Sequence, residues 1–175
     1  MLDLRIEIIE GDITRCQVDT IVNAANERLS DGSGVNGAIQ RAAGPQLLAE
    51  CRAIGGCATG GAVATRAYSL PAKFVFHAVG PIWQGGGANE DELLAGCYRA
   101  CYALAGQHGI ASIAFPAIST GIYGFPPARA ASIAATQTKT YLEAGGRLAR
   151  ILFVAFGGDA KAVLEQAFLE VFDAK

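Results

Sequence analysis

A chain of 175 residues, half of them hydrophobic and 17% charged, can hold one domain with a real core and is too apolar to be disordered. Its net charge of −2, spread without blocks of like sign, excludes a basic nucleic-acid face, and its apolar runs are too short to cross a membrane. The start Met1-Leu2-Asp3-Leu4-Arg5 has no signal-peptide pattern, so a cytoplasmic monomer is expected.

Residues 4–10 alternate apolar and polar side chains, the pattern of a strand near a sheet edge. Gly11-Asp12-Ile13-Thr14 closes it, and Asp12 is either a turn cap or a carboxylate at a pocket mouth. Ile21 and Val22 belong to a buried strand that runs into Asn23 and Asn26. Asn23 reads as a cap on the strand-to-loop turn. The loop Gly32-Ser33-Gly34-Val35-Asn36-Gly37 feeds a helix over 35–43, ended by Gly44-Pro45, and 46–52 continues helical. After a glycine-rich loop come strands at 62–67 and 74–79. His77, inside the second, reads as a hydrogen-bonded core residue.

Residues 84–88 form a flexible link, and Asn89 caps a long helix over 90–107. A short buried strand at 112–115 ends at Pro116 and leads to a second glycine loop, 117–125. Pro126-Pro127 opens a helix that runs to 143. The last strand, 150–156, is almost wholly apolar, which suits an interior position, and a helix over 160–172 ends the chain. Strands alternating with helices predict an α/β fold, a three-layer α-β-α sandwich in a single domain over 1–175. The alternating first strand suggests that the sheet is mixed.

Five cysteines form no Cys-x-x-Cys pair, and their odd number argues against a closed disulfide set. Cys97 and Cys101 are one helical turn apart and read as small buried side chains. Neither His77 nor His108 sits at ligand spacing, so no metal is expected.

Both glycine loops follow strands, where α/β folds bind ligands. If their strands are parallel neighbours, the loops face each other and can grip a diphosphate through backbone N–H groups. Other motifs fit less well. Residues 32–37 spell G-x-G-x-x-G but lie too far from their strand for a dinucleotide fingerprint. Ser119 sits in a near match to G-x-S-x-G, yet no histidine follows it. No Gly-Lys-Ser/Thr follows either loop.

Gly11-Asp12-Ile13-Thr14, Val22-Asn23-Ala24-Ala25-Asn26, Gly34-Val35-Asn36-Gly37-Ala38-Ile39, Leu70-Pro71-Ala72-Lys73, His77-Ala78-Val79-Gly80-Pro81 and Ser119-Thr120-Gly121-Ile122-Tyr123-Gly124 occur in an order that resembles the macrodomain family. The nearest group is the MacroD-type ADP-ribosyl hydrolases. The resemblance implies an ADP-ribose site that needs no cofactor. Asp12, with Ile13 beside it, would meet the adenine, and Phe156 would lie against it. Gly34, Val35, Asn36 and Gly37 would hold the diphosphate from one side, and Ser119, Thr120, Gly121, Ile122 and Tyr123 from the other. Asn26 would bond the distal ribose, with Tyr123 or Phe125 shielding it.

The chain departs from this pattern at two places. Active members usually read Gly-Gly-Gly-Val-Asp-Gly-Ala-Ile-His, so Asn36 stands where an aspartate assists hydrolysis and Gln40 where a histidine stands. An amide cannot act as a general base. Three readings therefore stay open. One is a hydrolase in which Asn26 and Asn36 position the water and a substrate phosphate oxygen directs its proton. The second is a module that only binds ADP-ribose, with Asn36 natural or introduced. The third is a Rossmann-type NAD enzyme. The partner in the first two is ADP-ribose or an ADP-ribosylated protein.

Overall fold

Strands whose apolar runs are nearly unbroken take the interior of the sheet, because interior strands are buried on both faces. The computed structural model describes residues 1–174. Its strands are β1 (Ile6–Glu10), β2 (Thr20–Ala25), β3 (Ala62–Arg66), β4 (Phe74–Val79), β5 (Ser112–Phe115) and β6 (Arg150–Ala155), in the order β1-β6-β5-β2-β4-β3. Its helices are α1 (Gly34–Ala43), α2 (Pro45–Ile54), α3 (Glu90–His108), α4 (Pro127–Glu143) and α5 (Gly158–Asp173), with a 3-10 turn at Ile13–Arg15. None is long and apolar enough to cross a membrane.

Side chains leave a strand on alternate faces, and the register lines them up into two layers. Ile21, Val75, Ala114 and Leu152 face α1 and α2, where they meet Ile39, Leu47 and Cys51. Val22, Phe76, Ile113 and Phe153 face α3, α4 and α5, where they meet Leu94, Cys101, Ala134 and Phe168. This is the expected three-layer sandwich. Cys97 and Cys101 are both fully buried in the second layer, and the Cys97 thiol donates to the Val79 carbonyl at 3.2 Å.

The sheet is mixed, but not for the reason drawn from β1. That strand is at an edge and runs parallel to β6, whereas the antiparallel strand is β3, paired with β4. Alternation reports a half-exposed edge and carries no information on direction. Direction at β3 is set by the short return over 67–73, closed by the Ala67 N–H on the Lys73 carbonyl (3.2 Å), since parallel neighbours need a much longer crossover.

Asn89 does not cap α3 as expected. Its φ is +62° and its side chain makes no capping bond. Glu90 secures this end instead. Its buried carboxylate accepts from the backbone N–H groups of Gln84 (2.8 Å), Gly86 (2.9 Å) and Ala88 (2.6 Å), so the glycine-rich link is wrapped around a charge. Beside it, the Trp83 N–H donates to the Tyr123 carbonyl (2.8 Å) and the Trp83 ring lies against Phe125. The segment after β4 thereby braces the second glycine loop.

The N–H groups of Gln84, Gly86 and Ala88 hold the Glu90 carboxyl down to about 2, below the ordinary 4.5. A lowered folded-state value stabilises above the unfolded value and the gain is lost as pH falls through the folded one. Urea midpoints measured from pH 6 to pH 2.5 should therefore decline with a component that Glu90→Gln removes, and the two proteins should converge at the acid end.

Candidate functional site

β2 and β5 are parallel neighbours, with Thr20 opposite Ile113 and Ile21 opposite Ala114, so the segments that follow them emerge at the same end of the sheet. Between these segments lies a cleft of about 400 Å³. Its lining contains no charged side chain.

One wall is the start of α1. Gly34 has φ +60°, and Ser33 at the cap position makes no side-chain bond to the helix. The N–H groups of Gly34, Val35 and Asn36 have no partner among the described residues, as the first turn of an uncapped helix requires. Gly37 lies beneath this wall. A Cβ there would fall 2.3 Å from the Gly32 carbonyl oxygen, so only glycine lets the loop fold onto its own helix.

The other wall is the loop after β5. Its Gly121, Ile122 and Tyr123 N–H groups also make no hydrogen bond among the described residues. Ser119 is buried with φ +67°, a conformation that costs a non-glycine residue free energy, and its carbonyl is held by the Phe125 N–H at 2.9 Å. The loop presses on the end of β4 so closely that a Cβ at Gly80 would lie 2.1 Å from Ser119 Oγ. Two rows of N–H groups without partners among the described residues thus belong to residues lining a neutral cleft, an arrangement suited to an anion with several oxygens.

The expected site residues divide as follows. Asn26, Gly34, Val35, Asn36, Ser119, Gly121, Ile122 and Tyr123 all line the cleft. Asn26 exchanges hydrogen bonds with Ser30, its Oδ1 accepting from the Ser30 N–H at 3.1 Å and its Nδ2 donating to Ser30 Oγ at 3.0 Å. Thr120 does not line it. Its hydroxyl donates to the Ala117 carbonyl, and it borders a second, largely apolar cavity of about 430 Å³ that shares Ala117, Ile118 and Gly121 with the cleft and is also lined by Phe156. Gly37 supports the wall without reaching the cleft. Phe125 is 1% exposed and belongs to the core, which leaves Tyr123 as the aromatic at the cleft.

Asp12, Ile13 and Phe156 are not in the cleft lining; Asp12 and Phe156 are brought near each other by the Gly11 N–H, which donates to the Ala155 carbonyl at 3.0 Å, and Phe156 borders the same second cavity as Thr120. Phe156 is 95% exposed, so it is no part of the core. Asp12 Oδ1 accepts from the Thr14 hydroxyl and N–H, which holds its carboxyl below the usual range, while Oδ2 lies 3.9 Å from Arg15 Nε. Ile13 next to it is buried among Val18, Ile21 and Leu29.

Asn23 is not a cap. It sits within β2, wholly buried, and its Nδ2 lies 3.0 Å from Asn36 Oδ1 and 3.2 Å from His77 Nδ1. His77 Nε2 in turn lies 2.9 Å from Thr65 Oγ1. Burial pushes His77 down to about 4, against the opposing effect of Glu50, so it is neutral at pH 7. This string of side chains escaped sequence reasoning, since the pairing of Asn23 with His77 exists only in the β2–β4 register. Gln40 turns inward toward Cys51 and lines no part of the cleft, so the departure at that position lies away from the walls.

Comparison with known proteins gives a consistent picture. The Macro domain family model matches residues 22–134. An O-acetyl-ADP-ribose deacetylase of Enterobacter cloacae is 51% identical, with 87% of each chain covered. Among solved structures, the Oceanobacillus iheyensis macrodomain with ADP superposes with a TM-score of 0.92 at 36% identity, covering 96% of this chain and 92% of that one. A Trypanosoma brucei macrodomain in complex with ADP-ribose gives 0.88 at 42% identity, covering 93% and 68%. The chain belongs to the macrodomain family.

Proposed function

We propose that the cleft binds ADP-ribose and that the protein hydrolyses an acyl ester at its distal ribose, as in O-acetyl-ADP-ribose or a carboxylate-linked ADP-ribosyl protein. The observation that carries this reading is the pair of facing N–H rows without a charged side chain between them. A diphosphate supplies the acceptors they lack, and main-chain donors fixed by the fold need no reorganisation when charge develops. The relative named as a deacetylase and the structures solved with ADP and ADP-ribose support it.

With the diphosphate between the walls, the adenine reaches Asp12 and Phe156. Asp12 Oδ2 can accept from its amino group, and the exposed Phe156 ring offers a face for stacking. The distal ribose then lies toward Asn26, Asn36 and Tyr123. Neither asparagine can take a proton, so both act by holding the ribose and the water in place. Water adds to the acyl carbon as a non-bridging phosphate oxygen takes its proton, the bond between that carbon and the ribose oxygen breaks, and the ribose oxygen leaves with the proton returned from the phosphate. The products are free ADP-ribose and a carboxylate. A second reading, recognition without turnover, is favoured by the amide at position 36.

Calorimetry should detect ADP-ribose binding, and Phe156→Ala should weaken it about tenfold, the scale of a lost aromatic contact. Gly80→Ala should weaken ADP-ribose and ADP alike, because the new methyl group displaces Ser119 and with it the second N–H row. Turnover decides between the readings. Release of ADP-ribose from a glutamate-linked substrate, or of acetate from O-acetyl-ADP-ribose, should occur with the unaltered chain and fall on Asn26→Ala. Release by Asn36→Asp alone would make the protein a binder, and release by neither would end the enzyme reading.

A further inference from the structure

Four side chains link the cleft to the opposite end of β3, and the direction of their hydrogen bonds follows from the cleft end inward. At the cleft end, Asn36 Nδ2 donates to the backbone carbonyl of Ser30 at 2.9 Å. This fixes which way the Asn36 amide points and leaves Oδ1 to accept from Asn23 Nδ2 at 3.0 Å. At the far end, the Thr65 hydroxyl donates to the backbone carbonyl of Arg66 at 3.0 Å. Thr65 Oγ1 can then accept from His77 Nε2, beside which the Cys51 thiol lies at 3.8 Å, and the proton belongs on Nε2 if His77 Nδ1 is the acceptor at the other side. The remaining nitrogen, His77 Nδ1, accepts the second hydrogen of Asn23 Nδ2 at 3.2 Å. Each end terminates on a main-chain carbonyl, and reversing any one amide or tautomer sets two acceptors or two donors against each other.

We infer that Asn23 and His77 are positioning residues that lock the Asn36 amide in the orientation needed at the distal ribose, and that the site is built for an amide at position 36. A carboxylate there would set an oxygen 2.9 Å from the Ser30 carbonyl oxygen, where a donor now stands. Asn36 is thus a fitted part of its surroundings. With one N–H engaged by Ser30 and one lone pair engaged by Asn23, the amide keeps one donor and one acceptor for ligand. A ribose hydroxyl, which both gives and takes a hydrogen bond, is the chemical match. Asn23 and His77 are both fully buried, so neither touches ligand. Their effect on binding passes through Asn36 alone.

The assignment of the cleft's inner end to the distal ribose rests on the function proposed above, and the test separates the two. Affinities for ADP and for ADP-ribose would be measured side by side for the unaltered chain, His77→Gln, Asn23→Ala and Asn36→Ala, and for each of the first two combined with Asn36→Ala. ADP lacks the distal ribose. We expect His77→Gln and Asn23→Ala to weaken ADP-ribose about tenfold, the scale of one mispositioned hydrogen bond, and to leave ADP within about twofold. In the Asn36→Ala background they should add nothing further. Equal losses for both ligands, or losses that add to Asn36→Ala, would overturn the inference. If the unaltered chain held ADP-ribose no better than ADP, the functional reading itself would fail. Should the buried variants not fold, nitrogen NMR of the unaltered protein decides the wiring. Only two histidines are present, and His108→Gln assigns them. The His77 ring should carry its proton on Nε2, and a proton on Nδ1 would overturn the chain.

Discussion

The side-by-side parallel pairing of β2 and β5 is the constraint on which the site depends. Two segments far apart in the chain follow these strands, and parallel direction brings both to one end of the sheet. Neighbouring position sets them a cleft's width apart. Had either strand run the other way, the start of α1 and the loop at 117–123 would lie at opposite ends of the molecule. Everything chemical in the protein then follows from what these two segments offer, which is mostly main chain.

Neutral walls have an electrostatic logic. Backbone N–H groups present partial positive charge at fixed positions, and a helix start adds its dipole. Such a surface draws an anion without the desolvation that a lysine or arginine would undergo on closing over it. The cost appears as conformational demand. Gly34 and Ser119 hold left-handed backbone, and Gly37 and Gly80 leave no room for a side chain. The segment from Pro81 to Asn89 takes up part of that demand, because Trp83 ties to Tyr123 and Glu90 fixes the segment around itself.

Much of this was legible in the sequence because it follows from periodicity and punctuation. The near-continuous apolar run of β6 marked an interior strand, and the glycine loops at strand ends marked the cleft. What escaped reading depends on partners that only the fold supplies. The direction of β3 is decided by a short return rather than by its own residues. Asn23 looked like a turn residue until register placed it opposite His77, and Asn89 looked like a cap until Glu90 took over the work. Phe125 belongs to the loop that forms the wall but is buried in the core, a distinction that loop sequence does not encode.

A grip made of peptide groups also bears on how such a protein can diverge. Ser33 and Ile122 contribute to the walls through their backbones and their side chains are exposed, so these are open to change without removing the donors. Selection for a new leaving group or a new modified partner can therefore act on the rim while the row of main-chain donors persists. The fold transmits its nucleotide preference as a shape, and the residues that decorate that shape are at liberty to specialise.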